Sequence, residues 1–268
     1  MKTFIVDSFT KEPFKGNPAA VCFPLSEPTE EEMLKIAQEF NLSETAFVKP
    51  TSKANTYSIR YFSPKKEIPL CGHATLASAK VIFEDKEVNE IHFLTIEKID
   101  LFIRRNGDKI TMEFPVYNTT PVIVPSAMLL ALGLTEVVNS VYSFKNKIIL
   151  LEIRSADLLA NVSPDYGALL ASHNDINGVL ITAPSNNKDF DYHYRYFWPW
   201  SGTQEDPVTG GVQTFLAKYW SDKLQKQEMK AFQSSARTGY MTVRLQDGKV
   251  LLTSDAVIIQ QGNWVAHQ

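Results

Sequence analysis

Short apolar runs and apolar–polar alternations of strand length dominate this chain, at 4–6, 19–23, 46–49, 56–62, 90–95, 101–105 and 109–114 in its first half, as expected of strands with at least one buried face. Four stretches carry apolar residues at helical spacing instead: 29–40, 72–84, 164–173 and 210–221. Within the second, Ala74-Thr75-Leu76-Ala77-Ser78-Ala79 is small and apolar on nearly every side, which predicts a helix buried all round. Hairpins outnumber crossovers in this pattern, so the sheets should be antiparallel or mixed and the fold α+β, with the buried helix inside a curved sheet.

The pattern occurs twice. Arg60-Tyr61-Phe62-Ser63-Pro64 returns 135 residues later as Arg195-Tyr196-Phe197-Trp198-Pro199. The same offset lays the helical stretch from Thr29 onto the one from Pro164. Leu101-Phe102-Ile103-Arg104 likewise matches Met241-Thr242-Val243-Arg244 further on. Collinear matches of helix, strand and hairpin predict two similar, pseudo-symmetric lobes, residues 1–117 and 118–268, with the last strand free to return to the first lobe. The stretch 118–126, with Pro121 and Pro125, is the candidate link. Small-molecule sites form in clefts at domain interfaces, so function is expected between the lobes.

Composition narrows the partners. The 268 residues carry a net charge of −3 with acids and bases interspersed, which excludes a basic stripe for nucleic acid and a polybasic membrane patch. No apolar run reaches membrane-spanning length, and the N-terminal apolar run is too short for a signal peptide. Two cysteines, Cys22 and Cys71, are too few for a disulfide framework and fit a reducing, cytoplasmic setting. Phosphate-loop, dinucleotide and metal-ligand spacings are absent, so no cofactor and no metal are expected, Cys71 and His73 standing alone around one glycine.

The chemistry concentrates where strands give way to the two buried helices. Leu70-Cys71-Gly72-His73-Ala74 leads into one, Asp206-Pro207-Val208-Thr209-Gly210-Gly211 into the other. Glycines and free N–H groups at a helix start favour a bound anion. Gly72, Gly210 and Gly211 are therefore expected to present amides to a carboxylate. Asp206-Pro207 also reads as a plain helix cap, and Cys71 as a buried inert thiol. His73, one residue inside its helix, is expected to be neutral because the positive helix end disfavours the imidazolium. Glu44, in Asn41-Leu42-Ser43-Glu44-Thr45, faces Val179 in the repeat, so one copy alone carries an acid there. Desolvation in an apolar cleft would raise its pKa, as suits a general acid or base. Asn17, in the turn Gly16-Asn17-Pro18, matters if that turn borders the cleft. His92, His173, His193 and His267 have no polar companions in sequence and receive no role.

Gly16-Asn17-Pro18-Ala19-Ala20-Val21, Asn41-Leu42-Ser43-Glu44-Thr45, Phe62-Ser63-Pro64, Leu70-Cys71-Gly72-His73-Ala74-Thr75-Leu76-Ala77 and Glu205-Asp206-Pro207-Val208-Thr209-Gly210 together resemble the PhzF family. These are phenazine biosynthesis-like isomerases with a fold similar to diaminopimelate epimerase. The resemblance spans nearly the whole chain. It implies a cofactor-independent, commonly dimeric enzyme in which the Glu44 position shuttles a proton on a small carboxylic acid. The His73 and Asp206 positions would hold or polarise the substrate, and Asn17, Ser43, Gly72, Gly210 and Gly211 would bind it. One departure stands out: where the family continues Ser-Ala-His after the glycine, this chain has Gly211-Val212-Gln213.

The expected function is thus a proton-shifting isomerase. Two alternatives stand beside it: a racemase or epimerase using Cys71 and Asp206 on opposite faces, and a carboxylate-binding protein that has lost turnover.

Overall fold

The computed structural model describes residues 1–201 and 203–265, so His267 lies outside the described residues. The chain divides into two compact units, Met1–Glu113 with Leu251–Gln268, and Phe114–Val250.

The first unit runs β1 (Lys2–Ser8), β2 (Asn17–Phe23), α1 (Glu30–Phe40), β3 (Glu44–Pro50), β4 (Thr56–Phe62), β5 (Glu67–Ile68), α2 (Gly72–Asp85), β6 (Glu90–Thr95), β7 (Asp100–Asn106) and β8 (Lys109–Pro115). The second runs β9 (Thr120–Pro121), α3 (Ser126–Ala131), β10 (Asn139–Ser143), β11 (Ile148–Glu152), α4 (Ala156–Ala160), α5 (Tyr166–Ala171), β12 (Gly178–Pro184), β13 (Tyr192–Trp198), β14 (Thr203–Glu205), α6 (Gln213–Leu224), β15 (Glu228–Gln233) and β16 (Gly239–Gln246). β17 (Lys249–Ser254) and β18 (Ala256–Asn263) follow. β18 pairs antiparallel with β1, so the chain's last strand belongs to the first unit.

The sheets repeat each other strand for strand. β1–β2 is antiparallel, β2–β3 parallel, β3–β4 antiparallel, β4–β6 parallel and β6–β7 antiparallel. In the second unit β10–β11, β11–β12, β12–β13, β13–β15 and β15–β16 follow the same succession. The proline-bearing stretch expected as a link is part of this unit, because Thr120 and Pro121 pair with β10.

The recurring Arg-Tyr-Phe segment has a structural reason. Arg60 donates from Nε and Nη2 to both carboxylate oxygens of Glu67 at 2.7 Å, and Arg195 does the same to Glu205 at 2.8 Å. Each guanidinium also lies over the phenylalanine two residues on, 5.3 Å from the Phe62 centroid and 4.8 Å from that of Phe197. The clasp ties β4 to β5 and β13 to β14, the short strands that lead toward each unit's helix.

α2 is the all-round apolar helix. Ten of its residues, from His73 to Phe83, are buried, and it packs on β1, β2, β3 and β18. By contrast α1 is a surface helix that buries only Met33 and Ala37, opened by a capping box in which Thr29 and Glu32 bond each other's backbone N–H. Four helices differ from expectation, α3 and α4 because they lie outside the four predicted stretches. α5 is limited to Tyr166–Ala171, and α6 starts at Gln213 rather than near Gly210, because residues 206–212 form a loop with its own side-chain bonds. Among the described residues no helix is long and apolar enough to cross a membrane.

Candidate functional site

At one end of the first unit's sheet, six of the residues singled out in the sequence converge: Asn17, Ser43, Glu44, Cys71, Gly72 and His73. Glu44 is the first residue of β3 and Cys71 immediately precedes α2, of which Gly72 and His73 are the first two residues. β2 runs parallel to β3 with Ala19 opposite Glu44, so Asn17, fully buried, extends two residues past it at the same sheet end. Gly16, at φ +68°, makes the turn into β2; a Cβ there would meet the Ser8 carbonyl oxygen at 2.1 Å, which only glycine avoids. Ser8, paired with Asn17, donates its hydroxyl to the His73 carbonyl at 2.8 Å and so fixes the helix start to β1.

Glu44 Oε2 lies 3.1 Å from His73 Nε2, and both side chains are 9 % exposed. Ser43 Oγ is 3.3 Å from the same nitrogen. Cys71 Sγ lies 3.4 Å from Nδ1 and 3.8 Å from Nε2. Near-equal distances to both nitrogens put the sulfur over the ring, off either nitrogen's lone-pair direction. Behind the site, Tyr61 bonds the Thr75 hydroxyl at 2.6 Å, which in turn donates to the Cys71 carbonyl at 2.6 Å.

The electrostatics correct two expectations. Burial does push the Glu44 carboxyl up, but the hydrogen bond and charge of His73, with hydrogen bonds from Ser43 and Cys71, outweigh it. Glu44 therefore lies below the ordinary value of 4.5 rather than above it. His73 is not the neutral imidazole that its place in the helix suggests. Burial works against the charge, yet Cys71 and Glu44 raise its pKa well above 6.5. Burial also pushes the Cys71 thiol up from 9.0, so it stays protonated at neutral pH. Glu44, His73 and Cys71 thus form one buried acid/base cluster whose members shift one another's protonation.

Contrary to the isolation read from their spacing, Cys71 and His73 have a third potential metal donor beside them. One ligand atom from each of Glu44, Cys71 and His73 lies within 4.8 Å of the others. Within that cluster Nε2 is engaged by Glu44 Oε2 at 3.1 Å and by Ser43 Oγ at 3.3 Å, contacts through which a proton can be held.

The remaining candidates lie in the second unit. Asp206 does not cap α6, whose N-cap position is Val212. It is instead a buried member of a clamped loop. Gln233, fully buried, donates to the Asp206 carbonyl at 2.6 Å and accepts from the Thr209 N–H at 2.7 Å. Thr209 Oγ1 donates to Asp206 Oδ2, and Ser235 Oγ to the Pro207 carbonyl. The carbonyls of Gly210 and Gly211 accept from the N–H groups of Gln213 and Thr214. The amide N–H groups of Gly210 and Gly211 have no partner among the described residues. A side chain added at Gly211 would enter open space, whereas Gln213 is fully buried and accepts from the Tyr192 hydroxyl at 2.6 Å.

Ser8 and Gln233 were not signalled by sequence, because each is a lone polar residue whose partner is set by strand register or loop closure. Thr209 stands inside the quoted motif, three residues after its partner Asp206.

The chain is similar to known proteins over nearly its whole length. The sequence model of the PhzC-PhzF family, described as phenazine biosynthesis-like protein, matches residues 6–262. The human phenazine biosynthesis-like domain-containing protein is 38 % identical over 284 residues, 98 % of each chain. An uncharacterized isomerase of Pseudomonas aeruginosa is 38 % identical over 262 residues, 97 % of this chain and 96 % of its own. Among solved structures, a PhzF-family phenazine biosynthesis protein of Enterococcus faecalis superposes with a TM-score of 0.91 at 31 % identity, over 98 % of this chain and 99 % of its own. A hydroxyproline epimerase of Agrobacterium vitis, 10 % identical with a TM-score of 0.57 over 98 % of this chain and 91 % of its own, shares the fold alone.

Proposed function

The chain belongs to the phenazine biosynthesis-like PhzC-PhzF family, and from that membership we propose that it is an isomerase that moves a proton on a small carboxylic acid by general acid/base catalysis. The observation that carries this reading is the buried Glu44–His73 pair, 3.1 Å apart. A carboxylate kept ionised out of water is a ready base. As it takes a proton from carbon, the imidazolium beside it loses its partner and turns to the charge developing on the substrate. Ser43 and Gly72 bind substrate beside it, with Asn17 supporting that end of the sheet. In the second unit Asp206 steadies the substrate and the free amides of Gly210 and Gly211 take its carboxylate. The uncharacterized isomerase among the relatives agrees with the reaction class. No cofactor is needed for such a shift, and the working form is a cytoplasmic homodimer.

The racemase reading makes Cys71 an opposed acid or base. Its raised pKa and its position over the His73 ring disfavour it as a base. Incubation in heavy water with a panel of small carboxylates separates the readings. Deuterium incorporation that Glu44→Gln reduces by about 10²-fold or more, and Cys71→Ser leaves intact, supports the proposal. The reverse sensitivity favours epimerisation. Tight binding of a carboxylate without exchange leaves a binding protein.

A further inference from the structure

We infer a second small-molecule site in the first unit, at the end of the sheet opposite Glu44, that takes an organic acid with a flat apolar body. β3 starts at Glu44 and finishes at Pro50; α2 starts beside His73 and runs to Asp85. Around the far ends of both lies a cavity of about 360 Å³. Along α2 the nearest lining residue, Val81, stands eight residues from His73, about 12 Å, and no residue of the acid/base cluster lines the cavity.

Its walls are Phe4, Phe23, Tyr57, Val81, Ile82 and Ile258. Phe4 and Phe23 meet edge to face at 5.9 Å, and Tyr57 leans on Phe93 at 6.0 Å, so the aromatic surface is held rigid. A concave, mainly apolar cavity of this size with a few polar groups at its rim has the make-up of a ligand site.

The rim supplies the charge preference. Lys86 Nζ donates to the Tyr57 hydroxyl at 2.9 Å and sits 5.3 Å from the ring centroid. Neither Lys86 nor Lys2, also on the rim, has a carboxylate within ion-pair distance among the described residues. The rim acids do not cancel them. Glu84 is taken by Lys80 at 2.5 Å, leaving Asp85 against two lysines. The negative end of α2 is covered separately, since Arg105 donates to the carbonyls of Phe83 and Lys86. A cation held against a phenol at the mouth of an aromatic bowl is placed to receive a carboxylate whose ring lies inside.

The test uses the whole protein and 2-naphthoate, with 2-naphthylmethanol as its uncharged counterpart, read by calorimetry and by a crystal soak. The expected result is binding of the acid at least tenfold tighter than of the alcohol, weakened about tenfold by Lys86→Ala, abolished by Ile258→Trp and unchanged by Glu44→Gln, with density between Phe4 and Ile82. Equal binding of acid and alcohol overturns the charge assignment. Loss of binding in Glu44→Gln, with Ile258→Trp unaffected, overturns the site itself, as does sedimentation showing that Ile258→Glu splits a dimer in which a second copy fills the cavity. Thermal melts of each variant separate misfolding from lost binding.

Discussion

Glu44 Oε2 and His73 Nε2 stand 3.1 Å apart, one at the start of β3 and the other in the first turn of α2. Each changes the other's charge state. The carboxyl is pulled below its ordinary value although burial works against it, and the imidazole is raised although both burial and the helix end oppose its charge.

The first consequence is kinetic. Glu44 is depressed below 4.5, so its base form is complete at neutral pH and is lost only as pH falls through its lowered pKa. Deuterium exchange into a carboxylate substrate should hold a plateau from about pH 5 to 7 and fall only in more acid solution. An acid limb centred near neutrality, as a raised Glu44 would give, contradicts the assignment.

The pair also sets stability against pH. His73, with a raised folded pKa, stabilises the fold fully below 6.5 and loses that contribution as pH rises through its folded value. Glu44, with a depressed one, stabilises above 4.5 and loses the effect as pH falls through its folded value. Both act together between 4.5 and 6.5. The urea-midpoint difference between the parent and Glu44→Gln should therefore be largest near about pH 5.5 and shrink as pH rises through the folded pKa of His73. A difference that does not vary with pH would show the two groups uncoupled.

Two departures from the family pattern at 211 and 213 should behave oppositely. Gly211→Ser places its side chain in open space and should shift stability by no more than about 0.5 kcal/mol, while raising exchange with carboxylates that can meet the new hydroxyl. Gln213→His disturbs a fully buried group bonded to Tyr192 and should cost about 1–3 kcal/mol. Thermal melts and the exchange assay, run on both variants, check the contrast.

The duplicated clasp predicts an asymmetry. The Arg195 side chain is 10 % exposed and also donates to the carbonyls of Leu159 and Val162, whereas that of Arg60 is 20 % exposed. Arg195→Ala should cost about 3–5 kcal/mol, and Arg60→Ala no more than about 1.5–3 kcal/mol. Equal losses in chemical denaturation would mean that the extra carbonyl bonds contribute nothing.

Much of this architecture was legible from order along the chain. The return of Arg60-Tyr61-Phe62 as Arg195-Tyr196-Phe197 and the small apolar composition of α2 depend on period and neighbouring residues, which local sequence encodes. Glu44 and His73 could also be named as candidates, one because its repeat partner is Val179 and the other because it follows Gly72.

Their charges could not be read that way. Desolvation alone predicts a raised Glu44 and the helix end alone a neutral His73; the signs reversed because the fold brings Glu44 and Cys71 onto the His73 ring, and Coulomb energy depends on separation in space. In the same way the loop 206–212 displaced the start of α6 because Gln233, from a later strand, clamps it at Asp206 and Thr209. The sequence by itself determined which elements form and that they form twice. The tertiary structure decided which polar groups meet, and with that the protonation state on which any chemistry here runs.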